Sequence, residues 1–273
     1  MTTATLYLDL LDAVIFDVDG VVTDTARVHA TAWKATFDGF LRRYGSEHDL
    51  QLPGFDADSD YLRFVDGKPR LDGVRDFLAA RGIGLPESGD GDTVASLAEE
   101  KTRRFVEAVE RTGVTAYPET VSVLRELRRR YVPTAAVSSS RHCDQVLRAA
   151  GVGELFDVRV DGNDLERLGL PGKPDPAPFV EAARRLGARP ATCAVVEDAI
   201  AGVRAGHSGA FGVIIGVDRR GARCGSMYEA GATVVVSSPA DVVLVERTPL
   251  RFAPPRRGQV GAVSKDRPAI WSP

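Results

Sequence analysis

The chain has 273 residues, 44% of them hydrophobic and 27% charged, with a formal net charge of −3 and three cysteines. That length suffices for one large domain or two smaller ones, and that balance excludes an intrinsically disordered chain. Charges of both signs are mixed along the sequence with no basic face, which argues against nucleic-acid and membrane-surface partners.

The first informative element is the apolar run 13–16, which reads as a buried strand. It ends in Asp17-Val18-Asp19-Gly20, two carboxylates two positions apart followed by a residue that allows a tight turn. Such a pair suits a nucleophile beside a proton donor, with a metal to mask the charge. An ordinary Asp-Gly turn is the competing reading. A calcium loop fits poorly, because Val21 and Val22 stand where that loop needs an oxygen ligand and a glycine.

Residues 23–113 then hold no strand pattern. Val22, Ala26, Trp33, Phe37 and Leu41 recur at helical spacing, 73–81 and 93–110 also predict helices, and 45–60 and 82–92 read as loops. This segment is expected to be a helical cap inserted after the first strand, over the carboxyl edge of the sheet.

From 114 onward strands and helices alternate. Pro118 opens a helix whose Val121, Leu124, Leu127 and Tyr131 share a face, and strand 134–137 follows. Next come helix 141–150 closed by Gly151, a further strand near 156–160 and helix 176–186 closed by Gly187. Strand 193–196, a short helix 198–206 and strands 211–215 and 233–236 complete the pattern. Continuous β-branched runs separated by helices predict an open parallel Rossmann-like α/β sheet. The expected domains are a core of 1–22 and 114–247 and a cap of 23–113. The pattern fades after 247, so 248–273 is expected to be a mobile extension or docking arm.

Cys143, Cys193 and Cys224 are widely spaced and form neither a zinc pattern nor a disulfide framework. No run approaches the roughly 18 apolar residues of a membrane span. Asp9 and Asp12 interrupt the N-terminal stretch where a secretory signal needs an apolar core. A cytoplasmic location is expected.

Three strand ends deliver polar groups to one edge: Asp17 and Asp19, then Ser138, Ser139 and Ser140, then Glu197 and Asp198. Lys173, in the loop before the helix at 176, lies at the same edge, where open α/β sheets bind ligands. Each has a plainer reading taken singly: Ser140 as a helix N-cap, Lys173 as a surface lysine, and Glu197 and Asp198 as acids at a helix N-terminus. Together, acids without histidine favour a hard cation, most simply Mg²⁺, and a lysine and a serine beside it suit a phosphate. Aspartate attack on phosphorus would then give an aspartyl phosphate.

With Asp17-x-Asp19-Gly20, Ser138, Lys173-Pro174 and Glu197-Asp198 in place, the chain resembles the haloacid dehalogenase superfamily of aspartate-nucleophile phosphotransferases over about 11–245. The resemblance implies Asp17 as nucleophile, Asp19 as general acid/base, and Ser138 and Lys173 as phosphate binders. It also implies a Mg²⁺ site of Asp17, Glu197, Asp198 and the Asp19 backbone carbonyl. The run from Asp17 through Thr25, His29, Trp33 and Lys34 is similar to the β-phosphoglucomutases. Thr25, His29 and Trp33 fall on one helix line and, with Ser139 and Ser140, are expected to face substrate. The plainer readings are that Trp33 is core and His29 an exposed polar residue. Gly67-Lys68-Pro69-Arg70 resembles the cap loop whose arginine grips the distal phosphate of a bisphosphate, and Lys101 a second cap-side cation. The stretch before Gly67 is longer than in the compact mutases, and Pro69 alters the loop. The resemblance implies a small-molecule sugar phosphate as partner and interconversion of β-glucose 1-phosphate and glucose 6-phosphate. A sugar-phosphate phosphatase using the same core residues is the alternative, and a non-catalytic regulatory domain the remote one. Oligomeric state is left open by the sequence, and a monomer is compatible with it.

Overall fold

Valine- and isoleucine-rich runs without alternation are satisfied only in a sheet covered on both faces. In the computed structural model, which describes residues 3–246 and 271–272, they take that place. The chain starts with β1 (Ala4–Tyr7) and β2 (Ala13–Asp17), followed by the cap helices α1 (Ala26–His48), α2 (Arg70–Ala80) and α3 (Val94–Thr112). The order continues α4 (Pro118–Arg129), β3 (Thr134–Val137), α5 (Cys143–Ala149), β4 (Val158–Val160), α6 (Gly162–Leu168), α7 (Ala177–Leu186) and β5 (Cys193–Glu197). It ends with α8 (Ile200–Ser208), β6 (Val213–Val217), α9 (Cys224–Glu229), β7 (Val234–Val236), β8 (Val242–Val245) and β9 (Trp271–Ser272).

β2 to β7 form one six-stranded sheet, ordered β4-β3-β2-β5-β6-β7, in which every neighbouring pair is parallel. Successive residues of β2 face opposite ways. Val14 and Phe16 enter one apolar layer with Leu124 and Val196, and Ala13 and Ile15 enter the other with Phe179 and Val195. The strand order reverses beside β2, so its carboxyl end is the switch point where a ligand crevice forms.

The cap has its own apolar centre of Trp33, Phe37, Phe40, Phe55, Val74, Phe77 and Leu97. Chain entry and exit are tied together by bridges from Thr23 to Asp19 and to Ala116. Among the described residues, no helix is long and apolar enough to cross a membrane.

Several sequence expectations are corrected. The stretch 45–60 is not all loop: α1 runs to His48, stabilised by stacking of Tyr44 on His48 at 4.0 Å. A π-helical turn, Tyr61–Val65, follows it, and its i+5 hydrogen bonds leave no periodic apolar signature. Tyr131 does not share the buried face of α4, because the helix ends at Arg129 and Tyr131 is 93% exposed at a φ of 56°. β1 pairs parallel to β8 and antiparallel to β9, a second, three-stranded sheet that the sequence did not announce. The expected extension 248–273 otherwise lies outside the described residues.

Phe37 is fully buried and packs on Trp33, Phe55 and Phe77 at ring separations of 5.0, 5.2 and 4.0 Å. Phe37→Ala should cost roughly 3–5 kcal/mol, measured by urea unfolding with a probe in the cap.

Candidate active site

The carboxyl edge of the sheet gathers the polar strand ends. β2 delivers Asp17, with Asp19 two residues on; β5 delivers Glu197 and Asp198; Ser138 follows β3; Lys173 comes from the loop before α7. Gly20 takes a φ of +95°, and a Cβ there would lie 2.1 Å from Asp198 Oδ2. The glycine therefore makes the turn and also lets the β2 and β5 ends approach each other.

Asp17, Glu197 and Asp198 are buried, and each offers a carboxylate oxygen within 4.8 Å of the others. This all-oxygen donor set fits a hard divalent cation. Lys173, 1% exposed, donates to Asp17 and, at 2.7 Å, to Glu197 Oε1. Burial pulls the Lys173 ammonium down, but the Asp17 and Glu197 carboxylates outweigh it and hold the lysine charged. Burial pushes the Asp17 and Asp198 carboxyls well up; Lys173 opposes this at Asp17, while Asp66 and Glu197 add to it at Asp198. A cation among these oxygens would offset that rise by favouring the ionised carboxylates.

The Asp19 side chain turns away from the cluster. Its Oδ1 accepts from Thr25 Oγ1 at 2.5 Å and lies 3.2 Å from His29 Nε2, and its Oδ2 accepts from Ser138 Oγ at 2.8 Å. Burial alone would raise this carboxyl, but His29, Thr25 and Ser138 together hold it well below the ordinary carboxylate range. His29 is buried and stacks on Phe105 at 4.0 Å, with its Nδ1 2.6 Å from Lys101 Nζ. These partners require the Nε2–H form of a neutral imidazole, donating to Asp19 and accepting from Lys101. Burial, with the Lys101 charge, lowers the His29 pKa, in keeping with that form. Burial also pulls Lys101 down to about 7, Asp19 opposing and Arg70 adding to the shift.

One cavity of about 70 Å³ between core and cap is lined by Asp17, Asp19, His29, Trp33, Arg70 and Lys101, among others. Arg70 pairs with Glu99 at 3.2 Å, while its buried Nε has no hydrogen-bond partner among the described residues. Trp33 meets both readings at once: it stacks within the cap core and also lines the cavity, under the Lys101 ammonium at 5.1 Å. His29 is buried, not an exposed polar residue. Ser139 and Ser140 line the cavity, but the Ser139 hydroxyl donates to the Gly67 carbonyl at 2.8 Å and Ser140 N donates to Ser138 Oγ at 3.0 Å. Ser138 thus supports Asp19 and the turn at Ser140 in this arrangement. Sequence reasoning missed Tyr61, Asp66 and Arg223 at the cap–core seam. The one signal for Arg223 was the basic run Asp218-Arg219-Arg220-Gly221-Ala222-Arg223, directly after a strand at the same edge.

Parallel sheet, cap and acidic strand ends are those of a haloacid dehalogenase-like enzyme. The family described as haloacid dehalogenase-like hydrolase matches residues 11–209, and the chain belongs to it. Within it, the chain is 37% identical over 238 residues to a β-phosphoglucomutase of Mycobacterium bovis, covering 85% of this chain and 91% of that one. It is 31% identical over 208 residues to hexitol phosphatase A of Escherichia coli, covering 73% of this chain and 80% of that one. A solved β-phosphoglucomutase of Clostridium difficile superposes with a TM-score of 0.67 at 25% identity, covering 84% of this chain and 92% of that one. The protein is a β-phosphoglucomutase-like enzyme of this superfamily.

The depressed Lys101 ammonium means that the unfolded chain holds this proton more tightly than the folded one between about pH 7 and the ordinary 10.5. Its contribution to stability therefore rises with pH through that window. Lys101→Met removes the titrating group, so its unfolding free energy relative to wild type should be greatest near about pH 6 and fall toward about pH 10. Urea titrations across that range check this; a difference that does not change with pH contradicts it.

Proposed function

We propose that the enzyme interconverts β-glucose 1-phosphate and glucose 6-phosphate through the 1,6-bisphosphate, with Mg²⁺ as cofactor and Asp17 as nucleophile. The observation that carries the bisphosphate is Arg70. Its buried Nε lacks a partner among the described residues, on the cap side of the same cavity whose core side holds Asp17, so one space offers an anion site at each end. The similarity to β-phosphoglucomutases over most of the chain supports the same reading.

Mg²⁺ held by Asp17, Glu197 and Asp198 would offset negative charge on Asp17 and on the transferring phosphoryl oxygens. The working enzyme starts phosphorylated on Asp17. The sugar 6-hydroxyl attacks that phosphorus, the P–O bond to Asp17 breaks, and Asp19 takes the hydroxyl proton. Asp19 is set for this as a carboxylate, because all its contacts are donors. The bisphosphate then turns, its 6-phosphate passing to Arg70 and its 1-phosphate to the site beside Lys173. Asp17 attacks, the P–O1 bond breaks, Asp19 returns its proton to O1, and glucose 6-phosphate leaves. Lys173 stabilises the equatorial oxygens during each transfer, and Ser138 joins it when its hydroxyl turns from Asp19 to the phosphoryl group. The catalytic residues line a space between cap and core, and its closure around the sugar would exclude water and favour transfer to sugar over hydrolysis.

Incubation with Mg²⁺, β-glucose 1-phosphate and a trace of bisphosphate, following glucose 6-phosphate and free phosphate together, tests this. Isomer without stoichiometric phosphate is expected; phosphate without isomer would make the enzyme a sugar-phosphate phosphatase. Asp17→Asn should abolish turnover and phosphoenzyme, and Asp19→Ala should lower kcat by about 10²–10⁴-fold, in the same assay.

A further inference from the structure

The cap loop that carries Arg70 is pinned to the core. The Gly67 carbonyl accepts from Ser139 Oγ at 2.8 Å. A Cβ on Gly67 would lie 2.8 Å from Ala199 Cβ, and one on Gly172 would lie 2.2 Å from Pro69 Cγ, so no side chain fits between these loops. A further contact is ionic: Arg223 Nη1 donates to Asp66 Oδ2 at 3.1 Å. The same guanidinium turns Nη2 toward Asp198 Oδ2, 4.0 Å away. One cation therefore faces a carboxylate of the cap and a carboxylate of the acidic cluster.

Both ends of this link are held. Arg223 belongs to the core loop after β6, where its backbone N–H donates to buried Asp218 at 2.7 Å. In the same loop Arg219 lies over the Tyr117 ring, 3.6 Å from its centroid, pairs with Glu119 at 2.5 Å and donates to the Gly20 carbonyl at 3.2 Å. On the cap, Asp66 ends the π-helical turn, and its N–H donates to the Tyr61 carbonyl at 3.0 Å. Tyr61, Asp66 and Asp198 also line a second groove of about 640 Å³, shared with Arg223 on the far side of the catalytic cavity. The Asp66–Arg223 pair is thus part of the wall between the two spaces.

With the loop 66–70 seated on the core, the Asp66 carboxylate stands beside a cluster that holds Asp17, Glu197 and Asp198. Like charges oppose that seating. Arg223 offsets it from between the carboxylates, and a cation on the cluster would offset it further. Resting on the metal reading given above, we propose that Arg223 is a positioning residue that locks the loop 66–70 shut and couples its closure to cation occupancy of the Asp17–Glu197–Asp198 cluster. By linkage the coupling is reciprocal: closure tightens the cation, and the cation favours closure.

Amide hydrogen exchange of the whole protein, with and without Mg²⁺, tests this in wild type, Arg223→Ala, Asp66→Asn and the double variant. In wild type, Mg²⁺ should slow exchange across 61–70. With Mg²⁺ present, either single variant should speed exchange there by roughly ten- to hundredfold, the scale of one charge-assisted hydrogen bond, while 94–112 is unchanged. The double variant should exchange no faster than the faster single one, and Asp66→Asn should respond less to Mg²⁺ than wild type. Unchanged exchange at 61–70 in both single variants, or effects that simply add in the double, overturns the lock. Calorimetrically confirmed Mg²⁺ binding without slower exchange at 61–70 in wild type overturns the coupling. Absence of Mg²⁺ binding by calorimetry instead defeats the metal reading, and the coupling with it, leaving the metal-free variants to decide the lock. If Arg223→Ala also loses protection in β3 and β5, Asp66→Asn alone decides.

Discussion

Lys173 makes this active site foldable. The ends of β2 and β5 bring Asp17, Glu197 and Asp198 within a few ångströms of one another, all out of water. Burying such charges costs several kcal/mol per ion unless they are paired. The Lys173 ammonium sits between Asp17 and Glu197, over the Phe179 ring at 4.8 Å, and it is 1% exposed. The Asp17 carboxylate is therefore positioned by the same pair that makes its burial tolerable. Arg223 performs the corresponding service at the outer side of the cluster, facing Asp198 and Asp66.

The same economy of charge extends into the cap. Asp19 is kept ionised by donors from three places: Thr25 at the start of α1, His29 one turn on, and Ser138 from the core. Lys101 of α3 backs His29, packed over Trp33 and Phe105. Asp19 therefore meets its full set of partners only when cap and core are together. The packing of cap on core that encloses the cavity is thus the same packing that completes the hydrogen bonds of Asp19.

Some of this was legible in the chain because the signals were local. The β2 run followed by Asp17 and Asp19, the β5 run followed by Glu197 and Asp198, and the β3 run followed by Ser138 each combine a hydrophobic strand with its polar end. Sheet topology then brings the ends together. The i, i+4, i+8 line of Thr25, His29 and Trp33 was equally visible. Features without periodicity were not. The π-helical turn 61–65 has no apolar rhythm, and α6 and α9 are too short to show one. β1 and β8 make a sheet only because they pair across more than 230 residues, at Ala4 and Val242. Arg223 is one arginine among three in a polar loop, and nothing in that run says which one reaches across to the cap.

The sequence by itself determined the fold class, the family and the chemical types gathered at the sheet edge, because strand ends and their residues are written consecutively. Tertiary structure alone decided which oxygen faces which cation. It turned Asp19 toward His29 and away from the acidic cluster, gave the Ser139 hydroxyl to the Gly67 carbonyl, and left Arg70 Nε without a partner among the described residues. The physical reason is that these contacts join residues from separate loops and separate domains. Their geometry follows from how cap and core pack, and no spacing along the chain encodes it.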